Sequence, residues 1–295
     1  MRIGVFTVLF QDLPFEEMLD RVAAARLSAI EIGAGGYPGS HHCPVDELLA
    51  SDARRTRWLH AVTSRELIVS ALSCHYEPLS PDAALARQSN EIFEKAVRLA
   101  SLLGVPVVNV VSGLPGGAPG DSSPNWVTCP WPPHNLKILE FQWNETAIPY
   151  WKRAGKFAAD HGVKIAVEMH PGYLVYNVET LLRLRDAVGP VLGCNFDPSH
   201  LFWNGVDVPS AIRALGSAIF HVHGKDCAVN SANAAVNGCN DAKPYDQLAR
   251  RSWSFRTIGY GHDAKAWKDI MSALRLAGYD YVVSIEHEDA MMSID

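Results

Sequence analysis

The sequence lacks the features that mark several special classes of protein. Its six cysteines are scattered along 295 residues, and none of them forms a Cys-x-x-Cys pair. This spacing is typical of reduced thiols in a cytoplasmic protein and argues against a disulfide framework or a structural zinc site. No apolar run is long enough to cross a bilayer, and residues 1–8 alternate like a strand instead of resembling a signal peptide. We therefore expect a cytoplasmic protein with no membrane partner.

An excess of basic residues is also missing. The chain has 26 Lys and Arg against 32 Asp and Glu, so its formal net charge is −6 at pH 7. A protein that tracks a phosphate backbone needs a local surplus of positive charge. The nearest approach to one is Arg54, Arg55 and Arg57, which fall in a predicted helix where they would face solvent. A nucleic-acid partner is therefore not expected.

The sequence does contain a regular alternation of short β-rich apolar runs and longer helical segments. Eight strands are predicted at 2–8, 29–33, 68–74, 106–112, 164–168, 191–197, 218–224 and 281–286. Seven helices are predicted at 15–25, 45–65, 81–103, 144–161, 178–188, 208–215 and 264–277. Several helices end at a glycine just before the next strand, which is the left-handed stop signal of an α-to-β connection.

This alternation, with no linker of altered composition, predicts one closed parallel barrel. The expected fold class for residues 1–295 is α/β, a single-domain (β/α)8 TIM barrel. An open doubly wound sheet is the main alternative, but it would need a glycine-rich turn after its first strand. That turn reads Leu-Phe-Gln-Asp at 9–12, and the glycines at 33–36 have no helix directly behind them, so we interpret them as a flexible loop.

Two connections are unusually long for such a barrel. Residues 113–140, after the fourth strand, are rich in Pro, Gly, Ser and Trp, and residues 225–262, after the seventh, carry Asn, Gly and Ala. Both follow strands, so both lie on the carboxyl-terminal face of the barrel, where active sites are built. We expect them to act as lids, and an ordered surface excursion without a role is the alternative.

The last four predicted strands share one feature. Each delivers a carboxylate or an imidazole where its apolar run stops, at Glu168, Asp197, His223 and Glu286. A single acidic residue after a strand is usually a cap or turn residue, and a single histidine is usually an ordinary polar residue. A barrel, however, places consecutive strand ends side by side around one mouth.

Three carboxylates buried at one mouth would be costly unless a cation neutralised them. Together with one imidazole they form an oxygen-rich set of hard ligands, which favours Mn²⁺, Mg²⁺ or Co²⁺ over a thiolate-bound zinc. The sequence therefore predicts one divalent metal ion held by Glu168, Asp197, His223 and Glu286. Mn²⁺ is the favoured ion, and Mg²⁺, Co²⁺, Zn²⁺ and Fe²⁺ are the alternatives.

The segments around these residues read Val-Glu-Met-His at 167–170, Phe-Asp-Pro-Ser-His at 196–200, His-Val-His-Gly-Lys-Asp at 221–226 and Ser-Ile-Glu-His-Glu-Asp at 284–289. They resemble the xylose-isomerase-like barrel superfamily of sugar (phosphate) isomerases and epimerases, which includes ketose 3-epimerases, inosose-processing enzymes and, more distantly, endonuclease IV. The resemblance spans nearly the whole chain and implies the same four metal ligands. Endonuclease IV uses additional histidines around a zinc cluster and binds DNA, which the acidic charge balance argues against here.

The resemblance also implies an activity, which is proton transfer next to a carbonyl through a metal-stabilised enediolate. Glu168 and Glu286 would remove and return the proton while also binding the metal. The expected substrate is a keto-sugar or a cyclitol. The same deprotonation could instead expel a leaving group, so a lyase or dehydratase acting on a keto-sugar, an inosose or a C-glycoside is the alternative. A barrel that only binds a sugar is a third hypothesis.

Other residues near the same mouth are candidates for binding the substrate. His200 and His170 follow Asp197 and Glu168 closely, so they would orient ligands or bind substrate oxygens. The remaining candidates are Lys225, Asp226, Arg256 and His75. An ion pair that only holds the loop is the alternative for the Lys-Asp pair, and a surface role is the alternative for the arginine. Assembly into a homo-oligomer is an expectation from the resemblance alone.

Overall fold

Eight parallel strands close into a barrel in the computed structural model, which describes residues 1–293. Together with a pair of strands outside the barrel, β8 and β9, they are numbered in chain order: β1 (Arg2–Phe6), β2 (Ala29–Gly33), β3 (Ile68–Ser73), β4 (Val107–Val111), β5 (Lys164–Glu168), β6 (Leu192–Phe196), β7 (Ile219–Gly224), β8 (Asp226–Val229), β9 (Trp253–Arg256) and β10 (Val282–Ile285). The order around the barrel is β1-β10-β7-β6-β5-β4-β3-β2, whereas β8 and β9 form a separate antiparallel pair. The predicted (β/α)8 TIM barrel is therefore confirmed.

Helices connect the barrel strands and cover them. They are α1 (Phe15–Ala24), α2 (Val45–Ala50), α3 (Asp52–Thr63), α4 (Ala83–Leu103), α5 (His134–Phe141), α6 (Ile148–Asp160), α7 (Val178–Val188), α8 (Pro198–Phe202), α9 (Val208–Leu215), α10 (Ser231–Asn237) and α11 (Ala264–Leu276). The longest, α4, buries an apolar stripe that includes Phe93, Val97 and Ala100. It ends at Gly104, whose φ of 69° is the left-handed cap that the sequence predicts. Within residues 1–293, no helix combines the length and apolarity needed to cross a membrane.

Two predicted helices differ from the structure. The helix predicted at 45–65 is divided at Ser51, whose extended backbone (φ −145°, ψ 115°) ends α2 and whose hydroxyl caps α3 by accepting from the Arg54 amide. The helix predicted at 144–161 is part of a longer run, because α5 continues through a π-helical segment, Gln142–Ala147, into α6. Pro149 lies in the first turn of α6 and lacks an N–H group, which favours an irregular junction there.

The two long connections are folded. The first contains α5, and the buried Gln142 side chain holds it by donating to the carbonyl oxygens of Pro115, Gly116 and Asn125. The second contains the β8–β9 hairpin with α10 between its strands. Neither connection shows enough local periodicity for the sequence to predict these elements, and the hairpin depends on pairing between strands that are 23 residues apart at their nearest ends.

Candidate metal centre and active site

A cavity of about 490 Å³ opens at the carboxyl ends of the barrel strands. Its walls include Phe6, Val111, Glu168 and Glu286, each of which is the last residue of a strand or directly follows one. The second long connection adds a further wall made of Tyr245, Leu248, Arg251, Ser254 and Phe255. Both the barrel and this connection therefore shape the site.

The four predicted metal ligands converge beside this cavity. The Nδ1 atom of His223 lies 2.8 Å from Glu286 Oε2, 3.4 Å from Glu168 Oε2 and 4.0 Å from Asp197 Oδ2. Strands β5, β6, β7 and β10 are consecutive neighbours in the barrel, so their ends meet although they are far apart in the sequence. Asp197, His223 and Glu286 form one group whose ligand atoms all lie within 4.8 Å of one another, and Glu168, Asp197 and His200 form another.

These donor atoms fit a divalent cation. Ligand atoms that bind one ion at about 2.1 Å lie about 3–4 Å from one another, which matches the distances around His223 Nδ1. Asp197 Oδ2 and Glu286 Oε2 are buried and face imidazole nitrogens at 3.2 Å and 2.8 Å, but neither forms a well-aligned hydrogen bond with a described residue. A buried carboxylate oxygen without an aligned hydrogen bond is costly, and a cation would remove that cost.

Asp197 shows how the local fold aims a ligand. It caps the short helix α8, where its Oδ1 accepts from the Ser199 amide at 2.8 Å. That bond orients the carboxylate and leaves Oδ2 on the side of the metal ligands. Burial alone would raise the pKa of Asp197, but His200 and Lys225 outweigh it and lower that pKa. The carboxylate is therefore ionised and available as a ligand.

Glu31 is a residue of this site that the sequence reasoning missed. Its side chain is completely buried, and both carboxylate oxygens lie 3.0 Å from His223 Nε2. Ser73 Oγ and Asn109 Nδ2 also donate to it, at 2.5 Å and 2.9 Å. Burial alone would raise the pKa of Glu31, but His223 and His221 lower it far below its ordinary value. Because the carboxylate only accepts, His223 Nε2 carries a proton and its Nδ1 is the nitrogen that faces the other ligands.

A signal for Glu31 was present in the sequence. It is the charged residue in Ala-Ile-Glu-Ile-Gly at 29–33, a strand that is otherwise apolar and in which every residue is buried. An acidic residue inside such a strand needs a partner, and His221 and His223 in the seventh strand are that partner in the structure. The sequence could not pair them, since β2 and β7 are distant along the chain and are not neighbours in the sheet.

Glu168 is held by three hydrogen-bond donors. His75 Nε2 and His200 Nε2 each lie 3.1 Å from one of its carboxylate oxygens, and Asn195 Nδ2 lies at 2.9 Å. Burial acts to raise the pKa of Glu168, but these histidines and His223 hold it well below its ordinary value. The carboxylate of Glu168 is therefore ionised and fixed in orientation.

Lys225 and His200 place positive charge beside these carboxylates. Lys225 Nζ lies 2.5 Å from Glu288 Oε2, 3.3 Å from Glu286 Oε1 and 3.8 Å from Asp197 Oδ2. Burial would lower the pKa of Lys225, but the acidic neighbours raise it well above its ordinary value. Burial likewise opposes protonation of His200, yet its carboxylate neighbours raise the pKa of His200 to about 9. Both residues line the cavity.

His170 differs from the other histidines of the cavity. Burial and the neighbouring His200 lower the pKa of His170 to about 3, so its ring is neutral. Its Nδ1 lies 2.6 Å from the Pro171 carbonyl oxygen, to which it donates. Nε2 is therefore the unprotonated nitrogen, which makes His170 a hydrogen-bond acceptor on the cavity wall.

Of the six predicted substrate-binding residues, Asp226 and Arg256 do not line the cavity. Asp226 accepts from the backbone amides of Gly259, Gly261 and His262 at 3.0–3.1 Å, which anchors that loop. Arg256 Nε donates to Asp289 at 3.0 Å. Their positions follow from β8 and β9, since these strands turn both side chains toward neighbouring loops. His75, His170, His200 and Lys225 all line the cavity.

Comparison with known proteins agrees with the barrel fold. A family model described as xylose isomerase-like TIM barrel matches residues 19–293. The uncharacterized protein YfiH of Bacillus subtilis (strain 168) is 44% identical over 296 residues, covering 99% of this chain and 94% of YfiH. The inosose dehydratase of Geobacillus thermodenitrificans (strain NG80-2) is 28% identical over 157 residues, covering 52% of this chain and 50% of that enzyme.

One solved structure that matches is D-psicose 3-epimerase with D-tagatose from Clostridium cellulolyticum H10. The TM-score is 0.62 at 15% sequence identity, and the match covers 97% of this chain and 84% of that chain. At this level of identity the likeness shows the fold alone.

Proposed function

We propose, from the premise that this chain belongs to the xylose isomerase-like TIM barrel family, that it is a divalent-metal-dependent isomerase or epimerase of a keto-sugar or cyclitol. Membership of the family confirms the resemblance seen in the sequence. The fold alone would not support an activity, because one barrel architecture carries many reactions. The observation that carries the proposal is the convergence of Glu168, Asp197 and Glu286 around His223 Nδ1 beside a cavity.

Glu168, Asp197, His223 and Glu286 would hold the cation. When bound there, a divalent ion supplies a Lewis acid that polarises the substrate carbonyl and stabilises negative charge on its oxygen. Mn²⁺ is the ion we propose, because three of the four ligands are hard carboxylate oxygens. Manganese content is therefore the first measurement to make on the isolated protein.

Glu168 and Glu286 are the proposed proton-transfer groups. Both line the cavity, and each has two carboxylate oxygens, so one oxygen can face the cation while the other faces the substrate carbon. One carboxylate removes the proton next to the carbonyl, and the electron pair moves onto the carbonyl oxygen. Return of a proton to the opposite face of that carbon gives an epimer, and return to the neighbouring carbon gives an isomer.

Lys225 and His200 stabilise the anion that forms. Their positive charges are fixed by hydrogen bonds and ion pairs before a substrate arrives, so little reorganisation is needed during the reaction. His75 has a positioning role, because its Nε2 donates to Glu168 Oε2 and thereby orients that carboxylate. We propose that the substrate is a small sugar or cyclitol held among these groups.

Incubation with candidate ketoses and inososes in D₂O tests this function. The expected result is incorporation of one solvent deuterium at a single carbon, detected by NMR and mass spectrometry, with no other change in composition. Protein stripped of metal is the control and should show no incorporation. A metal-loaded protein that converts a substrate without any solvent exchange at carbon would contradict the proposed proton transfer.

A lyase or dehydratase is the second candidate function, and the similarity to an inosose dehydratase is the observation that favours it. That enzyme is 28% identical over half of this chain, and it removes water from its substrate, as its name states. The D₂O experiment separates the two functions, since elimination releases water or an aglycone and changes the mass of the product.

A further inference from the structure

We propose that Arg251 forms an anion-binding subsite of the cavity and that the substrate carries a carboxylate or phosphate group at the end away from the metal centre. This inference rests on the proposed function and specifies the class of its substrate. Arg251 lies in the second long connection, two residues before the start of β9, and it lines the same cavity as Glu168 and Glu286.

Arg251 is a buried cation without an acidic partner. Its relative exposure is 2%, and among residues 1–293 no carboxylate oxygen lies within 4.0 Å of its guanidinium nitrogens. The nearby Asp241 is engaged elsewhere, with Lys243 Nζ at 2.8 Å and the Ser252 amide at 2.7 Å. Burial of a charge without a counter-charge is costly, so an anionic ligand would stabilise this arrangement.

The guanidinium is held in place before any ligand binds. It packs against two aromatic rings that meet edge to face, 4.4 Å from the ring centroid of Tyr245 and 4.5 Å from that of Trp253. Nε donates to the Trp253 carbonyl oxygen at 3.1 Å, and Nη1 donates to the Lys243 carbonyl oxygen. Within the described part of the chain, Nη2 donates to no residue. A rigid guanidinium with spare donors is suited to the planar or tetrahedral oxygens of a carboxylate or phosphate.

Phe255 separates this cation from the one at the metal centre. Lys225 Nζ lies 4.2 Å from the Phe255 ring centroid, while the Phe255 ring stacks on Tyr245 with centroids 5.8 Å apart. Tyr245 in turn contacts Arg251. A substrate whose carbonyl lies at the metal ligands would therefore pass an apolar wall before its other end reaches Arg251. This arrangement fits a sugar acid or a sugar phosphate better than an uncharged sugar.

Arg256, which the sequence marks as a substrate-binding candidate, is different in this respect. Its Nε lies 3.0 Å from Asp289 Oδ2, so its charge already has a partner, and it does not line the cavity. Arg251 differs from Arg256 because it is buried without an acidic partner. This difference, and not the residue type, indicates an anion-binding subsite.

Isothermal titration calorimetry with inorganic phosphate and acetate as probes tests the subsite. The expected result is that the metal-free wild-type protein binds at least one of the two probes and that Arg251→Gln weakens this binding about tenfold or more. Arg250→Gln is the matched control, because Arg250 is exposed and only donates to Gln247, and it should bind as the wild type does. A preference for one probe identifies the anion as a phosphate or a carboxylate.

The variant Arg251→Lys distinguishes a loss of anion binding from a loss of folding. It preserves the charge but not the planar fork, so we expect a folded protein, verified by its thermal melting curve, with affinity between those of wild type and Arg251→Gln. Equal affinity of all three proteins for both probes would overturn the inference, and so would binding that needs the metal. These titrations need neither metal nor substrate turnover, so the subsite can be tested even if the proposed proton transfer fails.

Discussion

The imidazole of His223 is constrained on both of its nitrogens. Nε2 donates to Glu31, and Nδ1 faces the carboxylates of Glu286, Glu168 and Asp197. A histidine binds a metal only through an unprotonated nitrogen, so the partner of the other nitrogen selects the ligand atom. The surplus of carboxylate charge is also why His223, despite the opposing effect of burial, has a pKa well above its ordinary value. A divalent cation would take the place of that proton.

Substitution of Glu31 by Gln should weaken metal binding without removing a ligand. The amide no longer attracts the His223 Nε2 proton and can itself donate, so the correct tautomer loses its support. We expect the affinity for Mn²⁺ to fall by about 10–100-fold, measured by competition with a chelator. Glu17→Gln, on the exposed side of α1, is the control and should have no effect. Unchanged affinity in Glu31→Gln would contradict the positioning role.

Substitution of Glu168 by Gln should abolish proton transfer. General acid–base catalysis contributes about 10²–10⁴-fold, so we expect exchange of substrate carbon-bound hydrogen with D₂O to fall by at least that factor. Metal content must be measured on the same sample, because Glu168 is also a proposed ligand. A folded, metal-loaded Glu168→Gln protein that exchanges at the wild-type rate would remove Glu168 from the reaction.

At the scale of elements, Asp226 joins the β8–β9 hairpin to the loop before α11. Besides three backbone amides of residues 259–262, it accepts from the Cys227 amide at 2.8 Å, His262 Nδ1 at 2.8 Å and Trp267 Nε1 at 3.2 Å. Gly261 is required at this junction, because a Cβ atom there would lie 2.3 Å from the Cys227 carbonyl oxygen and 2.6 Å from Asp226 Oδ1. The hairpin supplies Ser254 and Phe255 to the cavity, so this anchor supports the site indirectly.

Asp226→Asn should destabilise the protein in a pH-dependent way. An amide cannot accept from all of these donors, and we expect a loss of about 2–4 kcal/mol in the free energy of unfolding at pH 7. Burial opposes ionisation, but the His262 and Cys227 donors outweigh it and lower the pKa of Asp226 in the folded state. Its contribution is therefore complete above the unfolded pKa of about 3.9 and is lost as pH falls through the lower folded value.

Urea unfolding at pH 7 and at decreasing pH below 4 measures this difference. The gap between wild type and Asp226→Asn should narrow as pH falls. Asp246→Asn, an exposed aspartate in the same connection, is the control and should unfold as the wild type does at every pH. A gap that is constant with pH would show that the carboxylate charge is not the stabilising feature.

At the scale of the whole molecule, barrel closure is what assembles the site. The candidate ligands and Glu31 come from β2, β7 and the ends of β5, β6 and β10, and only the circular order of the strands brings them to one mouth. A cation at that point would link four neighbouring strands, β5, β6, β7 and β10. Its binding energy would therefore stabilise the folded barrel as a whole.

Removal of the metal should lower the melting temperature. Ligand binding at a concentration about 100 times Kd stabilises a protein by about 2.7 kcal/mol, which for a chain of this size corresponds to a shift of several degrees. We expect dialysis against a chelator to lower Tm and one equivalent of Mn²⁺ per chain to restore it, measured by calorimetry and elemental analysis. Asp197→Asn should show little response to Mn²⁺. Equal melting curves for metal-free and Mn²⁺-treated wild type would contradict the metal site.

The sequence by itself determined the barrel strands and the four residues that end its last four strands. Each of these depends on a local pattern, which is a short apolar run followed by a carboxylate or an imidazole, so neighbouring residues were sufficient to recognise it. Only the tertiary structure decided which side chains reach the cavity. It pairs Glu31 with His223 across the barrel, turns Asp226 and Arg256 toward loops, and buries Arg251 beside the cavity without an acidic partner. These outcomes depend on contacts between distant segments, whose geometry local sequence patterns do not contain.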